Sequence, residues 1–358
     1  MMERAGAAAR PVTVLFISKN YPPRIGGIQR FSQDFYRHMR QVCAMDLVKY
    51  SGPKAGLLFF MAKALWRALR GGHAIVHLAD GTLALLGVLI KVFTKKRVVI
   101  SLHGLDLVWR CCGYKAITRR LLARLDAFHC VSESTADVLR GYGLPEEKIT
   151  VIHNALSAQH YTTPSISAND LFAKYRIPTG CKLVLMCGRG VKRKGFAWFF
   201  TTIYSRHAAQ FTDIHFVLIG SGGEQRRVAR LARRCGWSNV RVLGAVPAAD
   251  LHAFYSAADY FFMPNIPVKG NKEGFGIVAI EAGYFGLYTI AHRIDGIAEA
   301  LVPGITGTLL RFPAGAGDYA RAFRLAYDRQ EVRRAVRERY MWPGRTASFL
   351  ALYRGLLR

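Results

Sequence analysis

Residues 271–286 read NKEGFGIVAIEAGYFG and combine a glycine-containing turn, an apolar helical run and two glutamates. Glu273 precedes the turn Gly274-Phe275-Gly276, and Glu281 follows it within the helical run. A helix that starts near Phe275 would leave free backbone N–H groups and the positive end of its dipole at the turn, which suits phosphate. Each carboxylate can accept hydrogen bonds from sugar or ribose hydroxyls. The stretch therefore predicts a site for a sugar phosphate, with a loop acid and a solvated helix residue as the alternative.

The sequence around these glutamates, PNIPVKGNKEGFGIVAIEA at residues 264–282, resembles the E-x7-E signature of the retaining GT-B glycosyltransferases of family 4. The resemblance implies that Glu273 contacts the hydroxyls of the transferred sugar and that Glu281 holds the ribose hydroxyls. It also implies retention of the anomeric configuration. The donor diphosphate is then expected near the backbone of Gly274, Phe275, Gly276, Ile277 and Val278.

Length and composition indicate a folded protein of two domains. The chain has 358 residues, of which 51% are hydrophobic and 21% charged, and this length allows two separate cores. No apolar stretch approaches the roughly 20 residues that a membrane span needs, and the apolar run at residues 12–17 is too short for a signal peptide. The seven cysteines show neither a disulfide framework nor zinc spacing. We therefore expect a cytoplasmic protein.

The balance of 51 Lys and Arg against 23 Asp and Glu gives a net charge of +28, which favours anionic partners. Residues 54–124 are especially basic. Within them, residues 57–70 place Lys63, Arg67 and Arg70 at helical spacing among aromatic and aliphatic residues. With Arg119 and Arg120 they predict docking on the anionic inner face of the cytoplasmic membrane. Ordinary packing, with these charges in water, is the alternative.

Two segments of the first half are candidate ligand loops. The apolar run at residues 12–18 leads through Gly26-Gly27 into a helical pattern, as in doubly wound folds, but G-x-G-x-x-G is absent and an NAD enzyme is disfavoured. The run at residues 97–102 delivers His103 and Asp106 in the motif HGxD. A lone histidine is often structural, but HGxD resembles the active-site loop of the family's first domain. The resemblance implies that His103 contacts the transferred sugar or the acceptor, with Asp106, Gly26 and Gly27 in the substrate site.

The second half places Arg189 and Lys194 in a turn directly after the apolar run at residues 183–187. A basic loop is often only solvated, but this GR-x4-KG frame resembles the family's clamp for the donor diphosphate. Arginine grips phosphate through two hydrogen bonds and lysine acts as a point charge. We expect both cations to neutralise the departing diphosphate, with Gly220 near the nucleotide. Asp-x-Asp does not occur, so we predict no metal and no other cofactor.

The sequence thus predicts an α/β protein of the GT-B class, with two Rossmann-like doubly wound domains facing each other across a cleft. Residues 1–165 would form the domain for acceptor and membrane, residues 166–340 the nucleotide-sugar domain, and residues 341–358 a helix returning to the first domain. The predicted activity is that of a retaining, metal-independent hexosyltransferase of polysaccharide or lipopolysaccharide biosynthesis, with a glycan or a lipid-linked acceptor. The alternatives are a nucleotide-sugar epimerase and a basic nucleic-acid-binding protein, although no nucleic-acid motif is present.

Overall fold

The computed structural model describes residues 12–23, 26–108 and 113–358, with Lys54 described only by its backbone. Arg110, part of the basic stretch 54–124, lies outside these residues. The chain divides into two compact units. The first runs to Val131 and includes Ala136–Ile152 and Trp342–Arg358, and the second comprises Ser132–Thr135 and His153–Met341. The main change from one unit to the other thus follows Ile152, whereas the sequence analysis placed it at residue 165.

The first unit is a six-stranded parallel sheet. Its strands are β1 (Thr13–Ser18), β2 (Ala44–Lys49), β3 (Ile75–Leu78), β4 (Arg97–Leu102), β5 (Ala127–Cys130) and β6 (Ile149–Val151). They lie in the order β2-β1-β3-β4-β5-β6, and the central strands are buried on both faces, as continuous apolar runs predict. The helices are α1 (Gly27–Met39), α2 (Leu57–Arg70), α3 (Ala84–Phe93), α4 (Tyr114–Leu122) and most of α5 (Glu133–Arg140).

Aromatic packing and a buried polar chain attach the C-terminal helix α14 (Trp342–Leu357) to the first unit. The ring of Phe349 lies 4.9 Å from that of Phe35 on α1, and the Tyr353 hydroxyl lies 2.5 Å from His77 Nδ1 on β3. Burial lowers the pKa of His77 well below its ordinary value. A neutral imidazole can both donate and accept hydrogen bonds, so it can serve Tyr353 on one side and Ser101, 2.8 Å from Nε2, on the other.

The second unit is also a six-stranded parallel sheet. Its strands are β7 (Lys182–Cys187), β8 (Ile214–Ile219), β9 (Val240–Gly244), β10 (Tyr260–Met263), β11 (Thr289–His292) and β12 (Gly307–Leu310). They lie in the order β12-β11-β10-β7-β8-β9. The helix α7 (Phe196–Trp198) continues through a π-helical segment (Phe199–Tyr204) into α8 (Ser205–His207). The other helices are α6 (Ala168–Tyr175), α9 (Gly223–Arg234), α10 (Ala248–Ala257), α11 (Ile277–Tyr284), α12 (Ala316–Ala322) and α13 (Arg329–Arg339).

The helix of the opening stretch begins two residues later than predicted, at Ile277. Gly276 has φ = 83°, a left-handed conformation that glycine adopts without strain and that cannot belong to a right-handed helix. Phe275, in the turn just before Gly276, is buried. The predicted helix over residues 57–70 is confirmed as α2, which buries Phe60, Ala64 and Ala68. Among the described residues, no helix has both the length and the apolar character needed to cross a membrane.

Candidate active site

Glu273 lies in the loop after β10, at the carboxyl edge of the second sheet, where ligands of such sheets bind. Its Oε2 is 2.7 Å from Lys194 Nζ and 3.2 Å from Arg193 Nε. Asn265 Nδ2 donates to the same oxygen at 3.2 Å. Burial alone raises the pKa of Glu273, but the two adjacent cations outweigh burial and lower it to about 2. Glu273 is therefore an ionised carboxylate in a largely buried ion cluster and not a solvated loop acid.

Arg193 is a member of this cluster that the sequence analysis missed. Besides Glu273, its guanidinium contacts Asn271, with Nη1 donating to Oδ1 at 3.1 Å. Arg193 and Lys194 are both buried, whereas Lys192 in the same turn is exposed. Buried cations are rare unless paired, and Glu273 supplies the partner. Three consecutive basic residues were visible in the sequence, but their directions depend on the 3-10 turn Lys192–Lys194.

Close backbone packing at Gly195 explains why this turn reaches Glu273. Gly195 has φ = 67°, and a Cβ at this position would come within 1.9 Å of the Pro264 carbonyl oxygen. The Ile266 N–H donates to the Arg193 carbonyl at 2.9 Å. The loop after β7 thus packs directly against the loop after β10, and only glycine fits at position 195.

Arg189 and Lys194, which the sequence analysis paired, have different surroundings. Lys194 is buried on Glu273, while the Arg189 side chain is exposed and makes no hydrogen bond or ion pair with another described residue. The sequence could not separate the two cations, since both follow the same strand. Lys194 is fixed in place, and Arg189 is left able to reach an anion in solvent.

Glu281 occupies a separate buried position on α11. The Tyr161 hydroxyl donates to its Oε1 at 3.2 Å. Burial first, and then the neighbouring charge of Glu281, raise the pKa of the Cys187 thiol to about 12. Glu281 is itself buried, so it is not the solvated helix residue of the alternative interpretation. The two glutamates of the opening stretch therefore have different partners and different surroundings.

Glycines bring the loops after β7 and β8 together. A Cβ on Gly220 would come within 2.1 Å of the Gly188 carbonyl oxygen, and a Cβ on Gly190 within 2.7 Å of the Gly222 Cα. Gln225 Nε2 donates to the Gly188 carbonyl at 2.7 Å. Close approach of two backbones thus accounts for Gly220, whose predicted role beside a nucleotide stays a prediction.

Two buried acceptors at this edge of the second sheet are without partners. Asn265 Oδ1 and Gln225 Oε1 have no hydrogen-bond partner among the residues that the structure describes. A buried polar atom without a partner is costly. Asn265 also donates to Glu273, so its oxygen lies within the ion cluster. A ligand with hydroxyl or amide donors would satisfy such atoms.

His103 and Asp106 form a different kind of polar site, at the carboxyl edge of the first sheet. Asp106 Oδ2 accepts the Gly81 N–H at 2.8 Å, and Oδ1 accepts the His103 N–H at 3.0 Å. Burial raises the pKa of the Asp106 carboxyl. His103 Nε2 lies 2.9 Å from the Ala79 carbonyl oxygen, which can only accept, so Nε2 carries the proton and Nδ1 is an acceptor in the neutral ring.

Gly26 and Gly27 lie where α1 begins, with Gly27 as its first residue. A Cβ on Gly27 would meet no described atom within 4 Å, and on Gly26 it would meet only the Gln29 side chain. Packing among described residues thus does not require either glycine. Within the same ranges, no group of three or more His, Cys, Asp or Glu side chains is placed to hold a metal ion.

Comparison with known proteins identifies the family. The family described as glycosyl transferases group 1 matches residues 167–340, and the family described as glycosyltransferase family 4 matches residues 5–178. The chain belongs to glycosyltransferase family 4. The predicted family and the two Rossmann-like GT-B domains are confirmed, and this family 4 protein is a glycosyltransferase enzyme.

Relatives of this family 4 glycosyltransferase include curated and solved proteins. A GDP-mannose-dependent alpha-(1-6)-phosphatidylinositol monomannoside mannosyltransferase of Mycolicibacterium smegmatis is 25% identical over 83% of this chain and 85% of the relative. Sucrose-phosphate synthase of Thermosynechococcus elongatus has a TM-score of 0.76 at 19% identity, covering 96% of this chain and 99% of that one. The catalytic domain of starch synthase IV of Arabidopsis thaliana, bound to ADP and acarbose, has a TM-score of 0.73 at 16% identity, covering 97% and 100%.

Proposed function

We propose that this glycosyltransferase moves a sugar from a nucleotide-sugar to a lipid-linked or glycan acceptor at the cytoplasmic membrane face, with retention and without a metal. The observation that carries the donor site is the buried cluster of Glu273, Lys194 and Arg193 beside the start of α11. The relatives support the donor class, since one is GDP-mannose-dependent and another was solved with ADP.

Charge at the second unit suits a departing nucleoside diphosphate. The first N–H groups of α11 and the positive end of its dipole can bind phosphate oxygens. Arg189 and Lys194 would add positive charge where negative charge develops on the leaving group, which is electrostatic stabilisation of the transition state. Two cations would thereby take the part that a divalent metal plays in other enzymes.

Glu273, Glu281 and Asn265 would bind the hydroxyl groups of the donor. The described side-chain partners of Glu273 all contact Oε2, so Oε1 would accept a hydroxyl of the transferred sugar. Glu281 would hold the ribose hydroxyls. In the first unit, His103 Nδ1 would accept a hydroxyl of the sugar or of the acceptor. Retention of configuration follows from the family and not from these contacts.

Helix α2 supports the proposal that the acceptor lies at a membrane. Its exposed face carries Phe59 and Trp66 together with Lys63, Arg67 and Arg70. Aromatic and basic residues on one helix favour the interface of an anionic bilayer. The mycobacterial relative is named for a phosphatidylinositol-based acceptor, which supports an acceptor that resides in a membrane.

A thermal-shift screen with nucleoside diphosphates and nucleotide-sugars, in EDTA, tests the donor site, since a ligand bound only by the folded state raises its stability. We expect at least one nucleotide to raise the unfolding temperature. The shift should weaken in Glu281→Ala and Arg189→Ala and persist in Arg334→Ala, a control at an exposed arginine of α13. The absence of a shift with every nucleotide would overturn the proposed donor site, and transfer that EDTA abolishes would overturn metal independence.

A further inference from the structure

An apolar cavity of about 550 Å³ lies in the first unit, among α2, α3 and α4. This volume is within the roughly 300–1,000 Å³ of ligand pockets. The cavity is open to solvent on one side, so a ligand of matching size can enter it. The apolar walls include Leu57, Leu58, Met61, Leu85, Ile117 and Leu121.

Several wall residues are also exposed to solvent, although they are large and apolar. Leu58 is 83% exposed, Ile117 58% and Leu85 53%. These three come from three different helices and line one cavity, so they form a continuous apolar opening. Contiguous apolar surface of this kind marks sites that bind apolar ligands, membranes or proteins.

The same helices carry the basic residues that we assign to the membrane face. Lys63 lies on α2 and Arg119 and Arg120 lie on α4, all exposed. The helices that line the cavity opening thus also carry positive charge, which an anionic bilayer attracts. A ligand could enter such an opening from the bilayer without exposing its hydrocarbon to water, which favours a lipid as the occupant.

Other wall residues connect the cavity to the HGxD loop. Gly81 and Tyr114 line the cavity, and both bind Asp106: the Gly81 N–H donates to Oδ2 at 2.8 Å, and the Tyr114 hydroxyl donates to the Asp106 carbonyl oxygen at 2.6 Å. The charged residue in the cavity wall is Lys19, directly after β1. Apolar walls with one ammonium group match a hydrocarbon chain that bears a phosphate.

We propose that this cavity binds the hydrocarbon chain of the membrane-anchored acceptor, with the acceptor's phosphate group at Lys19. The proposal rests on the transferase function above and specifies its acceptor as an anionic lipid. The chain would lie between α2 and α4, and the end of the acceptor that receives the sugar would point toward His103 and Asp106.

Titration with dodecyl phosphate, below its critical micelle concentration, tests ligand binding in the cavity independently of sugar transfer. It offers one chain and one phosphate, and inorganic phosphate serves as the probe without a chain. We expect saturable binding of one dodecyl phosphate per protein chain and much weaker binding of phosphate alone. Binding of both probes with equal strength, or of neither, would overturn the proposal.

Variants at exposed wall positions should keep the fold. We expect Leu58→Glu combined with Ile117→Glu to weaken dodecyl phosphate by about tenfold or more, because the chain loses apolar contacts and meets two carboxylates. Lys19→Met should weaken it too, by loss of the phosphate partner. Val92→Glu is the matched control, since Val92 is 63% exposed on α3 and does not line the cavity. Unchanged affinity in the double variant would place the probe elsewhere.

A competition experiment separates an acceptor chain from a lipid of the bilayer. Transfer is measured with the lipid extract of the organism that encodes the protein as the acceptor source. We expect dodecyl phosphate to compete with the extract in the wild type. Binding without competition would overturn the acceptor assignment and leave the cavity to a bilayer lipid. Normal nucleotide-induced thermal shifts in the Leu58→Glu, Ile117→Glu variant would show that its donor site is intact. Failure of the lipid proposal can therefore be distinguished from failure of the proposed transferase function.

Discussion

Each unit of this glycosyltransferase has a largely buried carboxylate at the carboxyl edge of its parallel sheet, and the pKa values of the two carboxylates shift in opposite directions. Glu273 in the second unit contacts two cations, which lower its pKa to about 2 despite burial. Asp106 in the first unit accepts backbone N–H groups of Gly81 and His103, and burial raises its pKa. The difference matches the groups that we assign to the two carboxylates, because a diphosphate near Glu273 requires positive charge close by, whereas an acceptor hydroxyl near Asp106 does not.

The largest expected effect comes from removing the positive charge of the second unit. Lys194→Met removes a cation that we assign to the leaving diphosphate and also a partner of Glu273. Loss of one electrostatic contact to a developing charge costs on the order of 10² to 10³ in kcat. We expect kcat for sugar transfer to fall by such a factor.

Lys192→Met is the matched control, because Lys192 lies in the same turn and is exposed. Its kcat should stay close to that of the wild type. Equal losses in the two variants would show that the general positive charge of the turn matters and not the buried position of Lys194.

The ionisation of Glu273 should appear in the stability of the protein. Its folded-state pKa of about 2 lies below the ordinary 4.5, so the ionised form stabilises the fold above pH 4.5, and this contribution is lost as the pH falls through about 2. We expect Glu273→Gln to lower the free energy of unfolding at pH 7 by roughly 3 kcal/mol. Urea denaturation at a series of pH values should show the difference from the wild type shrinking below pH 4.5. A difference that stays constant down to pH 2 would contradict the ion cluster.

The contribution of Asp106 to the free energy of unfolding should change with pH in the opposite direction. Because burial raises its folded-state pKa above the ordinary 3.8, the protonated form favours folding below pH 3.8, and this advantage is lost as the pH rises through the raised pKa. We expect Asp106→Asn to cost about 1 kcal/mol at low pH through a lost backbone hydrogen bond, and less as the pH rises. The same denaturation series measures both variants, and slopes of equal sign would remove the contrast between the units.

Much of the fold was predictable because continuous apolar runs mark strands that are covered on both faces. The run at residues 12–18 became β1 and residues 183–187 fall within β7, and family resemblance supplied their arrangement. Glu273 and Glu281 could be identified as candidate site residues from their spacing and from the sequence around them. Their burial and separate partners could not, since these depend on Lys194, Arg193 and Tyr161, which come from other loops.

The errors of the sequence analysis come from local backbone geometry. The start of α11 depends on the left-handed Gly276, which moved it two residues beyond Phe275. The burial of Arg193 depends on a 3-10 turn held by the contact between Gly195 and Pro264. A sequence of three basic residues does not determine which of them turn inward, so Arg193 was missed. The joint role of Arg189 and Lys194 at the diphosphate stays a prediction.

The smallest expected effects concern the surface cations of the first unit. Substituting alanine for Lys63, Arg67 or Arg70 should weaken binding to vesicles of equimolar phosphatidylglycerol and phosphatidylcholine by about 1 kcal/mol each at low salt, or roughly fivefold. Stability should change little, because the ion pair of Arg67 with Asp46 has both side chains about half exposed and such pairs contribute little. Sedimentation at low and high salt measures this, with Arg334→Ala of the second unit as control. Equal losses for Arg334→Ala and for the α2 variants would mean that net charge attracts the vesicles, and α2 would then lose its assignment as the membrane face.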